Sequence, residues 1–396
     1  MRRPIRLALA AAVIVIAMIL VVAFAAGPGM IERSMNRVAA NRAYPVPEAA
    51  RRLHDTLLVA DLHDDLLLWG RDPLARSDRG HTDIPRLIEG RIALQVFGAV
   101  TKVPSGQNYQ GNPADSDLII GLAVLQRWPP RTWRSLTARA LHEADRLRTA
   151  ASRSHGRLSV VTTREELERF MEARSQDRAR VAGVLAVEGL HALDGDARNV
   201  DALVRAGFRM MGLAHFFDNE VSGSAHGQAK GGLTPLGRDV IRRMEALGVM
   251  LDLAHASPRA FDEALALATR PVVVSHTGVQ GTCAGPRNLT DDQIARVAAN
   301  GGVIGIGFWD AAVCDVGAGA IAKAIRYAAD RAGVEHVALG SDFDGATTVP
   351  FDASGLDQVT AALIDAGFTA GEIRRIMGEN VVRLLGQALP KGGQAP

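Results

Sequence analysis

Short apolar runs recur along the chain and alternate with longer amphipathic stretches. Eight of the runs read as buried strands: Thr56–Leu62, Ile92–Val100, Val181–Val187, Phe208–Ala214, Val249–Ala254, Pro271–Ser275, Gly302–Phe308 and His336–Gly340. Between them the spacing of apolar positions predicts helices over Ala197–Ala206, Gly237–Leu247, Ser257–Thr269, Thr290–Asn300 and Gly319–Ala332. A long helical region from Asp115 to Ser152 is interrupted at Pro129-Pro130. Ser257 and Pro258 suit the cap and first turn of a helix, and Thr290 precedes two aspartates. Gly207, Gly248 and Gly333 follow helical runs, where a left-handed terminating residue is needed. Strands alternating with helices run parallel, and eight such units close a (β/α)8 barrel. An open doubly wound sheet is the competing architecture. No G-x-G-x-x-G follows the first strand to support it.

The first thirty residues stand outside this pattern. Arg2, Arg3 and Arg6 precede Leu7–Ala26, twenty residues without a charge. At about 1.5 Å per helical residue this stretch spans a bilayer core. It reads as a transmembrane anchor or as a signal peptide, for which Ala23-Phe24-Ala25 offers a cleavage site. Either reading leaves the arginines inside and sends the rest of the chain out of the cytoplasm, periplasmic or extracellular, and secreted if the segment is cleaved. Gly27-Pro28-Gly29 is expected to break the helix. Residues 31–55 follow as a polar, arginine-rich linker helix, residues 56–386 as the barrel domain, and residues 387–396 as a disordered tail.

Charge narrows the partners. The formal net charge is +2, and removing the three N-terminal arginines leaves −1, so no basic surface for nucleic acid is implied. Two cysteines, Cys283 and Cys314, exclude a disulfide-rich scaffold and a cysteine-rich metal site. Outside the cytoplasm they are paired or both free.

The chemistry collects where strands end. His63 and Asp65 form an H-x-D pair, and residues i and i+2 of an extended segment point the same way. Asp64 between them points away. Glu188, His215, His255, His276 and Asp342 end the third, fourth, fifth, sixth and eighth strands. A barrel brings all these ends to one mouth. The other seven histidines (54, 81, 142, 155, 191, 226 and 336) read as ordinary loop and helix surface. Four histidines and three carboxylates exceed one tetrahedral site and suit two divalent ions sharing a carboxylate and a water. Such a pair lowers the water's pKa, and a neighbouring carboxylate can carry the proton to a leaving amine. A neutral His or an Arg in the mouth can hold an oxyanion or a substrate carboxylate. The residues therefore point to metal-assisted hydrolysis and leave the bond open.

Several stretches together resemble the renal (membrane) dipeptidases, binuclear zinc enzymes. They are Asp61-Leu62-His63-Asp64-Asp65, Thr82-Asp83-Ile84-Pro85-Arg86-Leu87, Ala186-Val187-Glu188-Gly189, Met211-Gly212-Leu213-Ala214-His215, Leu251-Asp252-Leu253-Ala254-His255, Ser275-His276-Thr277, Arg287-Asn288 and Gly340-Ser341-Asp342-Phe343-Asp344-Gly345. The resemblance runs from about residue 56 to 386. It implies two Zn2+ per chain, one on His63 and Asp65, the other on His255 and His276, with Glu188 bridging. It makes Asp342 the proton shuttle, His215 the group polarising the scissile carbonyl, and Arg287 the partner of the substrate's terminal carboxylate. It also implies a Cys283–Cys314 disulfide, a homodimer, and a dipeptide substrate whose C-terminal residue can be D. A related amidohydrolase acting on N-acyl amino acids or lactones is the alternative, and Arg287 separates the two, because such substrates can lack the carboxylate it would bind. Residues Gln107–Asp115 carry no readable substrate preference, and Trp309 lines the pocket or packs at its rim.

Overall fold

The computed structural model describes residues 2–39 and 42–392. Eight parallel strands close into a barrel: β1 Val59–Asp64, β2 Ile92–Val100, β3 Val181–Glu188, β4 Phe208–Gly212, β5 Met250–Asp252, β6 Val273–Thr277, β7 Val303–Ile306 and β8 Val337–Leu339. The register of β2 on β3, Leu94 opposite Ala182 through Val100 opposite Glu188, closes the ring. Alternation along the strands divides the core. Leu62, Leu94, Val96, Val184, Met210 and Met250 point into the barrel. Val181, Leu185, Phe208, Leu251, Val274 and Ile304 pack in the layer shared with helices such as Pro235–Ala246 and Ala318–Ala332. Both faces are apolar because both are covered. The helix caps lie where the sequence puts them. Ser257 accepts from Ala260 N at the start of Pro258–Leu267, and Thr290 forms a capping box with Gln293.

Three expectations give way. The N-terminal helix runs unbroken from Arg2 to Met35 with Pro28 inside it. A proline removes one helical hydrogen bond, and here packing of the following turns on the barrel outweighs that loss. Glu32, only 1% exposed, receives Arg71 Nε at 2.5 Å and Arg79 Nε at 2.6 Å. Residues 31–55 are consequently no single linker helix. After Met35 the strand Arg37–Val38 pairs in parallel with Thr348–Val349, and a short helix covers Glu48–His54. At the other end, the helix Asn380–Ala388 is followed by buried Leu389, and both pack on the barrel's inner cluster. Pro390 lies against Gly248, ahead of β5, so this helix closes the N-terminal end of the barrel. The expected tail shrinks accordingly, and residues 393–396 lie outside the described residues. A three-residue strand, Leu158–Val160, beside β3 was too short to show a period.

Leu7–Met35 is long and apolar enough to cross a membrane, and its side chains from Leu7 to Val22 are exposed. Its end is fixed to the barrel through Glu32. Glu32→Ala leaves the buried Arg71 with Asp344 as its remaining carboxylate and should lower the unfolding free energy by about 3 kcal/mol. Urea denaturation of the full chain in detergent measures this, and a loss below about 0.5 kcal/mol contradicts the fixed end.

Candidate metal centre

The residues expected at the strand ends meet in one buried cluster. Glu188, the last residue of β3, stands at its centre. Its Oε1 lies 2.9 Å from His255 Nε2, 3.2 Å from His276 Nε2 and 3.7 Å from His63 Nε2. Its Oε2 lies 3.3 Å from His215 Nε2. Asp65 Oδ1 is 3.3 Å from His63 Nε2. Ligand-type atoms group within 4.8 Å in three overlapping sets: His63, Glu188 and His276; Glu188, His215 and His255; and His63, Asp65 and Asp342.

These atoms fit divalent cations. His63 Nε2 and Asp65 Oδ1 are buried and make no hydrogen bond within the protein, and converging lone pairs in a low dielectric are costly without a positive partner. Imidazole and carboxylate together suit zinc and neighbouring first-row ions. Burial pushes the His255 and His276 imidazoles well below their ordinary range, into the neutral form that binds metal. Burial likewise lowers His215. Burial also raises the carboxyls of Glu188 and Asp342 well above the usual range, with Asp65 adding repulsion.

A second ring of polar contacts orients the first. Asp252 accepts from Ser275 Oγ at 2.5 Å, and that hydroxyl lies 2.9 Å from His276 Nδ1. Asp61 accepts from Ser341 N, Ser341 Oγ and Gln95 Nε2. This joins β1 and β2 to the turn that carries Asp342, whose own N–H reaches His63 O at 3.2 Å. Asp64 is buried, its Oδ1 taken by Leu66 N, outside the ligand groups as alternation requires. Arg287, 5% exposed, places Nη2 at 2.5 Å from His276 O and 3.3 Å from His255 Nε2. Its loop is tied by a Cys283–Cys314 disulfide and by Asn288, which donates to Cys283 O and Ala311 O.

Other residues enter that the sequence did not disclose. Tyr109, from the loop after β2, accepts from Trp309 Nε1 at 3.1 Å, and both line the pocket. Burial pushes the Tyr109 hydroxyl up to about 12. His226 stacks on Phe216 and stands 5.4 Å from His255. Of the histidines read as surface, His54, His81, His191 and His226 are in fact buried. The irregular loops that place Tyr109 and His226 have no periodicity to read.

A barrel whose mouth gathers imidazoles and carboxylates around a buried glutamate defines a metal-dependent hydrolase. The sequence profile of the membrane dipeptidases, peptidase family M19, matches residues 47–391. The chain belongs to that family and is a metallo-dipeptidase. It is 30% identical over 317 residues to dipeptidase verJ of Clonostachys rogersoniana, covering 77% of this chain and 75% of that one. A metallopeptidase from Rhodobacter sphaeroides, crystallised with a phosphinate mimic of the dipeptide L-Ala-D-Ala, superposes with a TM-score of 0.69 at 26% identity, over 84% of this chain and 100% of that one. The probable dipeptidase PvdM from Pseudomonas aeruginosa shares the fold, with a TM-score of 0.72 at 19% identity over 86% of this chain and 98% of that one.

Gly98 of β2 gives the candidate ligand atoms of His63 and Asp65 their room. A Cβ there would stand 2.7 Å from Asp65 Oδ1 and 3.0 Å from His63 Cε1. Gly98→Ala should therefore weaken metal binding roughly 10–100-fold. Zinc titration of chelator-treated protein reads the change, and parental affinity would rule the crowding out.

Proposed function

We propose that this dipeptidase works with two zinc ions, outside the cytoplasm, and accepts a D-residue at the C-terminal position of its substrate. The observation that carries the two-ion reading is Glu188, whose two oxygens face four imidazole nitrogens. His63 and Asp65 would hold one ion and His255 and His276 the other, with Glu188 placed to serve both. When bound, the ions supply Lewis acidity and lower the pKa of water towards neutrality.

The remaining roles belong to side chains. Asp342, raised by burial, can take a proton and return it to the leaving amine near neutral pH. His215 is held neutral by burial and can donate a hydrogen bond to the scissile carbonyl oxygen as charge develops there. Arg287 presents a buried guanidinium to the substrate's terminal carboxylate. The Rhodobacter sphaeroides relative's ligand, a mimic of L-Ala-D-Ala, supports tolerance of a D-residue. The N-terminal arginines ahead of the apolar helix favour an outward catalytic domain. A membrane-impermeant lysine reagent that fails to label the domain in intact cells contradicts that orientation.

The full chain, loaded with zinc in detergent, should release free amino acids from unblocked dipeptides of both chiralities at the second residue. Asp342→Asn should keep its metal and lose roughly 10²–10⁴-fold in kcat, and near-parental turnover would assign the proton to another group. Arg287→Ala should raise KM chiefly for substrates with a free C-terminus. An equal effect on C-amidated dipeptides, or cleavage of N-acylated compounds alone, would favour the amidohydrolase alternative.

A further inference from the structure

The pocket above the metal ligands, about 350 Å³, has two ends of different chemistry. One end is cationic and follows β6, where Arg287 lies beside His255 and His276. The other is an apolar arm that grows from the ends of β1 and β2, through Leu68, Trp69, Val100 and Val103. In a ring of eight strands, β2 and β6 stand opposite one another. The arm and Arg287 therefore face each other across the metal ligands.

The far wall of the arm comes from outside the barrel. Ile31 and Met35, four apart on the N-terminal helix and hence on one face of it, line the same pocket. Ile31 packs with Leu68, Trp69, Ile119 and Leu122, while Met35 stands at the lip, 41% exposed. The wall is fixed in place. Between its two residues Glu32 is gripped by Arg71 and Arg79. Just beyond, Asn36 Oδ1 accepts from Ala346 N at 2.9 Å, and Arg37–Val38 adds its strand to Thr348–Val349. Arg71 also pairs with Asp344, on the turn that carries Asp342.

We propose that the end of the N-terminal helix is a specificity element of the active site, with Ile31 and Met35 setting how large an apolar side chain the N-terminal residue of the dipeptide carries. The inference rests on the dipeptidase reading above. With the substrate carboxylate on Arg287, the chain of the substrate runs across the metal ligands and delivers its first side chain to the arm. Burial of an aliphatic or aromatic side chain there is favourable in proportion to the apolar area removed from water. A wall that moves back accepts a larger residue, and a wall that moves forward rejects it.

The test compares kcat/KM for Trp-Ala and Leu-Ala in the full chain, loaded with zinc in detergent. Ile31→Ala should raise the Trp-Ala to Leu-Ala ratio, and Ile31→Phe should lower it, each by roughly tenfold. Met35→Ala, at the exposed lip of the arm, should shift the ratio in the same direction as Ile31→Ala. The ratio for Ala-Trp to Ala-Leu, which varies the second residue, should move less than about twofold in each variant. An unchanged Trp-Ala to Leu-Ala ratio in all three variants, with dipeptides still cleaved by the parent, overturns this proposal alone. A shift confined to the second residue does the same, because it puts the arm at the other end of the substrate. Failure of the parent to cleave any of the four dipeptides overturns this inference together with the reading it rests on.

Discussion

The structure turns on one buried carboxylate. Glu188 presents two oxygens to four imidazole nitrogens in a buried cluster at the floor of the pocket, with Asp65 and Asp342 close by. So many acceptors do not gather in a low dielectric without positive charge to hold them. A barrel is suited to bearing that cost, because the ligand-type residues come from the ends of several strands, His63 and Asp65 from β1 and Glu188 from β3 among them, and the ring as a whole resists their separation. Three of the strand-end residues, His255, Asp342 and Asp344, take a left-handed backbone, with φ of 61°, 61° and 62°. Strain at such positions persists where surrounding contacts overdetermine it. The Asp61–Ser341 and Asp252–Ser275 contacts supply that constraint.

The same logic extends outwards to the N-terminal helix. The helix that begins in an apolar stretch ends by burying Glu32 between two arginines, and one of these reaches Asp344. The path from the N-terminal helix to the turn that carries Asp342 is thus continuous through charge pairs and a short parallel strand pair. The apolar N-terminal helix and one wall of the pocket are parts of a single element, which is why the expected linker does not exist as a separate piece.

What the sequence disclosed follows from periodicity and spacing. The eight strands were legible as apolar runs because barrel strands are covered on both faces, and β2 falls on the run Ile92–Val100. The ligand-type residues were legible because the barrel rule converts the ends of strands into one mouth, and the structure brings His63, Asp65, Glu188, His215, His255, His276 and Asp342 together as that rule requires. The expected break at Pro28 failed because local propensity was outweighed by tertiary contacts of Glu32 and Asn36, which lie far from their partners in sequence. Tyr109 and His226 escaped for a related reason: loops carry no repeat, and only the folded chain shows that Tyr109 meets Trp309. Leu389 was read as part of a loose tail because Gly and Pro follow it, while its burial depends on the barrel floor.

The measurement that bears most directly on the central claim is a crystal structure of the zinc-loaded protein with anomalous scattering recorded on both sides of the zinc edge. Two peaks about 3.5–4 Å apart, one beside His63 and Asp65, the other beside His255 and His276, with Glu188 contacting both, is the expected result. A single peak, or two peaks with Glu188 turned away from one of them, would contradict the claim that this carboxylate organises a binuclear site.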